Sequence, residues 1–217
     1  MPERARWAVW GTAAALFAVL IVVLGWAYPP RPAVVSTDRL GPVSGEPVAD
    51  YLARAHRTLD GADTADHWAL VSFTTGLAPD RIPEHTNGLR VSQVVHHVPI
   101  DRVTTPFVTI PVPAGDEVAV ASARAAAGLL SATPPADERS ARITAVVADR
   151  LRSGCPCTVG LVVRGPLDRL RELATHNDIR AVEVLPADAG VFGLAPLLPE
   201  YTDTAASGPD DGPIPDH

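Results

Sequence analysis

The only two cysteines of the chain stand two residues apart, as Cys155-Pro156-Cys157, between a predicted helix and a predicted strand. In an oxidising compartment two thiols this close can form a small-ring disulfide, which is comparatively easy to reduce. Two soft thiolates could instead bind Cu(I), although no third sulfur is evident nearby. The spacing differs from the Cys-x-x-Cys of thioredoxin-like proteins, which argues against redox catalysis. We take the pair as a candidate disulfide, leave inert thiols and metal or redox chemistry open, and expect no cofactor.

The histidines favour no metal site. His96 and His97 are adjacent in a predicted strand, so their side chains should point to opposite faces and one metal could not easily take both. Zinc-binding spacings such as His-Glu-x-x-His are absent from the sequence around His56, His67, His85 and His176. There is also no Gly-x-Ser-x-Gly elbow and no Gly-Lys-Ser/Thr phosphate loop. We therefore predict no catalytic, cofactor-binding or metal-ligating residue, and an enzyme is the less expected class.

An uncharged apolar run covers residues 7–28, behind a short basic N-terminus. At 1.5 Å rise per residue it can cross the ~30 Å hydrocarbon core of a bilayer. Aromatic residues cluster at its two ends, as interfacial anchors do: Trp7, Trp10, Trp26 and Tyr28. The run is longer than the apolar region of a signal peptide, which favours an uncleaved single-pass anchor. Cleavage after Ala27 stays open as the alternative.

The arginines beside this run predict its orientation. Arg4 and Arg6 on the N-terminal side are matched in number by Arg31 and Arg39 on the C-terminal side. Arg4 and Arg6 lie directly against the run, however, whereas Pro-rich sequence separates Arg39 from it. Positive charge close to a span favours the cytoplasmic side. We predict that residues 1–6 lie inside the cell and that the domain lies outside, with the lipid bilayer as the partner of residues 7–28.

Composition excludes one class of partner. The chain has 18 arginines, no lysine and many Ala, Gly, Pro and Val residues, a usage that indicates a GC-rich genome. Beyond the predicted anchor the net charge is near −8, and the arginines are scattered. A polyanion would be repelled by that field, so we expect no nucleic-acid binding.

Residues 29–45 are rich in Pro and Gly and predict a semi-rigid linker. Residues 46–201 have the length and apolar content of one α/β domain. Residues 202–217 have almost nothing apolar to bury and predict a disordered acidic tail.

Two similar segments, near residues 68–97 and 157–186, provide the best fold signal. Each has the pattern strand, short helix, strand, and in the closing strands Arg90 matches Arg180 and Val94 matches Val184. Two βαβ units side by side make a ferredoxin-like sheet with helices on one face. Duplication and chance similarity between two amphipathic units both stay open.

Additional elements surround this pair. Apolar periodicity predicts helices over 46–59, capped by Ser44, and over 116–130 and 137–151, separated by Pro134-Pro135. Residues 107–110 predict a short strand bounded by prolines. The two later helices form an insertion of some fifty residues between the βαβ units. We expect the specific function of the domain to lie there.

The stretch Arg-Leu-Gly-Pro-Val-Ser-Gly-Glu-Pro-Val, residues 39–48, together with architecture and composition, resembles single-pass membrane-anchored proteins of high-GC Gram-positive (actinobacterial) bacteria. The resemblance implies a cell-membrane location and carries no site residue. The predicted function is an extracytoplasmic binding or interaction module of the cell envelope, whose partner is another envelope protein or a small ligand. The alternative is an envelope thiol-redox or Cu(I)-binding protein that uses Cys155 and Cys157. A third possibility, from fold analogy alone, is an inhibitor or folding aid for a protease.

Labelling of intact cells with a membrane-impermeant maleimide tests both the orientation and the state of the cysteines. We expect labelling only after reduction, because an external Cys155–Cys157 disulfide hides both thiols. Labelling without reductant would indicate free external thiols and favour the metal or redox alternative. Denatured lysate is the control, and labelling found only there would contradict the predicted orientation.

Overall fold

The structure is a computed structural model and describes residues 38–216. The predicted anchor (7–28) and most of the predicted linker (29–37) therefore lie outside the described residues. Across 38–216, none of the helices combines the length and the apolar character that crossing a membrane requires.

The described chain is a mixed α/β domain. Four helices are α1 (Val48–Arg57), α2 (Asp116–Ala132), α3 (Glu138–Arg152) and α4 (Leu167–Ala174), and a 3₁₀ helix covers Pro79–His85. The strands are β1 (Arg39–Leu40), β2 (Asp66–Leu77), β3 (Arg90–His97), β4 (Phe107–Pro111), β5 (Thr158–Pro166), β6 (Ile179–Val184) and β7 (Gly193–Leu194).

Five strands form the main sheet in the order β4-β3-β5-β2-β6, and every neighbouring pair is antiparallel. Both predicted strand-helix-strand segments are present, as β2, the 3₁₀ helix and β3, and as β5, α4 and β6. They interleave: β5 lies between β2 and β3, and β2 lies between β5 and β6. The first helix is 3₁₀ because Pro79 and Pro83 cannot donate the backbone hydrogen bonds of an α-helix.

Alternation along β2 divides the core into two layers. Ala69, Val71 and Phe73 point to the face covered by α2 and α4. Leu70 points to the other face, where it packs with Leu40 of β1 and with Leu185, the residue after β6. Two helices, α2 and α4, therefore cover the first face of the sheet. The second face is covered by α1, which packs against Leu197, and by irregular chain.

The predicted helices at 46–59, 116–130 and 137–151 are confirmed within two residues at each end, as is the strand at 107–110. The Asp137 side chain caps α3 by accepting from the Ser140 N–H at 2.8 Å. The proposed Ser44 cap is wrong. Pro47 precedes α1, and the Val48 N–H donates to the Asp203 carbonyl at 2.9 Å, so the far end of the chain provides the cap.

Two predicted boundaries also need correction. The last part of the linker, residues 38–45, belongs to the domain, because β1 pairs in parallel with β7 and Leu40 is fully buried. Gly41 follows with φ +104°, and a Cβ there would meet the Ala195 carbonyl, so this contact needs glycine.

Disorder was predicted for residues 202–217, whereas residues 202–216 pack on the domain. The Gly212 N–H donates to the Arg102 carbonyl at 2.7 Å, and Arg102 pairs with Asp211 at 2.8 Å. Ile214 contacts the apolar cluster between α2 and α3. The polar composition of this segment predicted disorder. Its attachments could not be seen in the sequence, because they use backbone groups and scattered charges rather than apolar periodicity.

A buried carboxylate joins β6 to the N-terminal segment. Glu183 accepts from the Gly41 N–H at 2.5 Å and from the Tyr51 hydroxyl at 3.3 Å, and it pairs with Arg54. Arg54 also pairs with Glu46 at 3.0 Å. Burial raises the pKa of Glu183, and the hydrogen bonds from Gly41, Arg54 and Tyr51 partly offset that effect.

Replacement of this carboxylate should be strongly destabilising. We expect Glu183→Ala to lower the free energy of unfolding by about 3 kcal/mol or more, because it leaves several buried donors without an acceptor. Glu183→Gln, which keeps the shape and one acceptor oxygen, should cost clearly less. Equilibrium urea unfolding measures both, and an alanine variant within about 1 kcal/mol of the wild type would contradict the assigned role.

Candidate functional site

A cavity of about 900 Å3 opens on the second face of the sheet, between two loops. One wall is the connection from the end of β3 to the start of β4, residues 97–107. The other wall is the C-terminal segment, residues 198–209. His97, the last residue of β3, begins the first wall. Alternation directs its side chain away from the helical layer and toward the second wall.

His97 joins the two walls. Its Nε2 lies 2.6 Å from Glu200 Oε1, and its Nδ1 lies 3.5 Å from Thr105 Oγ1. The Thr105 hydroxyl donates to the Val98 carbonyl at 2.7 Å, so the threonine oxygen is an acceptor toward the ring. Burial acts to raise the pKa of Glu200, but the hydrogen bond and charge of His97 outweigh it and lower that pKa.

This geometry serves binding better than nucleophilic catalysis. A nucleophilic hydroxyl must hand its proton to the base, whereas the Thr105 proton is held by a backbone carbonyl. The cavity walls carry several hydroxyl groups, more than the few polar groups that line a predominantly hydrophobic ligand site. The hydroxyl side chains are Thr104, Thr105, Tyr201, Thr202, Thr204 and Ser207.

Carboxylates dominate the charge around the cavity. Asp101, Glu200 and Asp203 line it, and the one lining arginine, Arg102, is already paired with Asp211 outside the lining. Glu200 is already compensated by His97, so a cationic group entering the cavity would meet chiefly the carboxylates of Asp101 and Asp203. At the rim, Phe107 is 48% exposed and offers an apolar contact beside that charge.

Arg180 fixes the C-terminal wall to the sheet. From β6 its guanidinium donates to the carbonyls of Leu198 at 3.1 Å, Pro199 at 3.3 Å and Tyr201 at 2.5 Å. Burial lowers the pKa of Arg180. Leu198 packs under the wall against Val95. The wall thus has both polar and apolar attachment to the strands.

The predicted pair Cys155 and Cys157 is disulfide-bonded in the structure, with the two Cα atoms 5.3 Å apart. Cys157 is buried beside α3, and Cys155 is half-buried. The Pro156 carbonyl comes so close to Gly76 that a Cβ there would lie 2.1 Å from its oxygen. While the bond is closed, neither sulfur is a thiolate that could bind Cu(I). Within 38–216, no three His, Cys, Asp or Glu side chains gather as metal ligands would.

His96 and His97 do point to opposite faces, as predicted. His96 is buried under α2, where its Nε2 donates to Ser122 Oγ at 2.9 Å and its Nδ1 accepts from the Thr158 hydroxyl at 3.3 Å. The Ser122 hydroxyl donates to the Ala119 carbonyl, which fixes this neutral tautomer. Burial lowers the pKa of His96 to about 4.

Two other histidines pin loops. His67 lies 2.8 Å from both the Leu185 carbonyl and Asp63, and His85 lies 3.1 Å from Asp178. The desolvation of His67 acts to lower its pKa, yet the bonds to Leu185 and Asp63 outweigh it and raise the pKa. These arrangements hold chain segments together and leave no ring nitrogen directed at the cavity.

Comparison with known proteins adds no further assignment, since no family model, curated protein or solved structure matches the chain. Sequence reasoning did not find Glu200 or Thr105. They lie in irregular chain, 95 residues apart, and no spacing rule links either of them to His97. Only the position of His97 at a strand end, on the face opposite His96, indicated that the two histidines have separate roles.

The buried His96 should make stability depend on pH. Because its folded-state pKa of about 4 lies below the usual value near 6.5, the unfolded chain takes up the proton first. The free energy of unfolding should therefore fall by up to about 3 kcal/mol between pH 7 and pH 4 on account of this group. His96→Gln cannot titrate and should lose that much less over the same range in urea unfolding. Equal losses in the two proteins would show that His96 is not the cause.

Proposed function

We propose that the chain is a membrane-anchored binding module of the cell envelope, held by residues 7–28, with residues 1–6 inside the cell and the domain outside. The anchor and its orientation come from the sequence alone. The domain contributes the binding surface, and its cavity between residues 97–107 and 198–209 is the site.

The acidic lining of this cavity is the observation that carries the proposal. Asp101, Glu200 and Asp203 surround a space of about 900 Å3, large enough for a small ligand or a protein side chain. The favoured ligand has a cationic group. Next to that group it has an apolar portion, which would contact Phe107 at the rim. Attachment of both walls through His97, Glu200 and the sheet keeps the site preformed, which reduces the ordering cost of binding.

We further propose that the domain is a ferredoxin-like domain with an inserted helix pair. The interleaved order of β2, β3, β5 and β6 supports this, since it is the split βαβ arrangement. The insertion contributes β4, α2 and α3, so the first strand of the insertion also reaches the cavity through Phe107. Fold alone supports no particular ligand.

The cysteine pair supports a second candidate function, thiol–disulfide exchange with an envelope dithiol. Its supporting observation is the half-buried position of Cys155, which leaves one sulfur open to an attacking thiolate. Position at the C-terminal end of α3 acts against it, because a helix C-terminus does not stabilise a thiolate. Replacing both Cys155 and Cys157 by Ser separates this candidate from the binding module, since loss of a redox phenotype with the fold intact would favour thiol–disulfide exchange.

Site-specific photocrosslinking tests the binding module. Phe107 is replaced by a photoreactive benzoylphenylalanine in the full-length chain, and intact producing cells are irradiated. We expect a discrete adduct, because Phe107 lies at the rim of the proposed site. Asp203→Lys in the same chain should reduce the adduct by about tenfold, since reversing one charge acts against a cationic ligand.

Leu129 provides the matched control, since it is exposed to a similar extent, 53%, but lies on α2 in the helical layer. The same photoreactive residue at position 129 should give no such adduct. Equal adducts at both positions, or an adduct at 107 that is indifferent to Asp203→Lys, would overturn the assignment of the cavity as the site.

A further inference from the structure

One edge of the main sheet is open. β4 pairs with β3 on one side only, and it is the terminal strand of the sheet. Within residues 38–216, no other strand pairs with β4 on its outer side. The strand has five residues, and Pro106 and Pro111 mark its two ends.

Register shows which backbone groups of β4 face outward. The His97 N–H donates to the Cys157 carbonyl at 2.8 Å, so the backbone N–H and C=O of His97 point toward β5. By alternation, those of its neighbour His96 point toward β4. His96 lies opposite Val108 and His97 lies opposite Phe107. By alternation, Phe107, Thr109 and Pro111 direct their backbone groups away from β3. The Val112 N–H, which donates to the Ser92 carbonyl at 2.9 Å, agrees with this alternation.

The outward groups form a usable template. Phe107 and Thr109 each present an N–H and a C=O, and Pro111 presents a C=O at the position where its lack of an N–H costs least. In the described part of the chain these outward N–H groups donate to no protein acceptor. An added strand could therefore form up to about five main-chain hydrogen bonds with β4.

The two edges of the main sheet differ, because the edge formed by β6 is covered. The β6 edge is covered by α1, and the Val184 N–H there donates to Thr58 Oγ1 at 2.8 Å. Arg180 on the same strand binds the C-terminal wall. α2 packs against β4 as well, but within residues 38–216 no group accepts a hydrogen bond from the outward N–H of Phe107 or Thr109, so the main-chain edge of β4 can accept a strand.

We propose that β4 binds an extended peptide with a basic side chain by strand addition; this rests on the proposed function, because the acidic cavity receives that side chain. Phe107 points to the cavity side of the sheet, so the peptide residue opposite Phe107 points there too. With strands about 4.8 Å apart, the arm of an arginine or lysine reaches past Phe107 toward Asp101 and Asp203. Main-chain bonds then provide affinity, and the cavity provides specificity.

Charge and size favour a peptide over a second copy of the chain. The chain carries a net charge of −7, so two copies repel each other while a basic peptide is attracted. Pairing of two five-residue edges would bury far less than the roughly 1,000 Å2 that a stable protein interface needs. A short peptide needs only the strand and the adjoining cavity.

The test uses the full-length chain in detergent micelles and a fluorescein-labelled, acetylated Thr-Val-Arg-Val-Thr-amide peptide, with binding followed by fluorescence anisotropy. We expect Thr109→Pro to raise Kd at least about tenfold, because proline removes the outward N–H and blocks the edge without touching the β3 ladder. Thr109→Val keeps the N–H and should stay within about twofold of the wild type. A second measurement, independent of any variant, is amide hydrogen exchange, which should slow at Thr109 when the peptide saturates the wild type.

Asp203→Asn and a peptide with Gln in place of Arg separate this inference from the proposed function. Both should weaken binding several-fold if the cavity holds the basic side chain. Sensitivity to Asp203→Asn without sensitivity to Thr109→Pro or slowed exchange would overturn strand addition and leave the cavity as the site. Sensitivity to Thr109→Pro alone would support strand addition and contradict the cavity. Self-association of the wild type that Thr109→Pro abolishes would overturn the peptide in favour of a second copy.

Discussion

The buried carboxylate of Glu183 joins the main sheet to the N-terminal segment of this domain, and both depend on its hydrogen bonds. It lies on the second face of the sheet, away from the helical layer, and the groups that compensate it come from β1 and α1. Removing an ionised carboxylate from water costs several kcal/mol unless donors replace the water. The chain can therefore bury β6 on this face only when Gly41, Tyr51 and Arg54 are in place. The same constraint explains why the folded domain begins before residue 46.

Much of the architecture could be predicted from local signals. Helices with an apolar stripe or an Asp cap, such as α3, and strands with clear alternation, such as β2, are set by neighbours in sequence. The two strand-helix-strand segments can be recognised from their similar patterns, whereas their interleaving is visible only in the strand order of the structure. Local signals were insufficient at the chain ends, where residues 38–45 and 202–216 are held by backbone hydrogen bonds to distant segments. Such contacts leave no periodic trace, so their composition suggested a linker and a disordered tail.

The candidate site follows the same division. The opposite directions of His96 and His97 could be predicted, because they follow from the pleat of a strand. The partners of His97 could not, because Glu200 and Thr105 are brought to it by loops whose paths depend on tertiary packing. The charge of the cavity was equally hidden. A net charge distributed over the whole chain says nothing about which carboxylates lack a compensating arginine, and the proposed cation site depends on that difference.

The attachment of α1 to the C-terminal segment has a consequence for the order of folding during synthesis. Val48 and Gly45 receive their backbone partners from Asp203 and Ala205, more than 150 residues later in the chain. The local helix pair α2 and α3 can form as soon as it leaves the ribosome, whereas α1 must wait for nearly the whole polypeptide. An emerging chain would thus hold α1 uncapped until translation is almost complete. In that interval its apolar face, with Tyr51, stays exposed, because Leu197, which covers it in the folded domain, has not yet been synthesised.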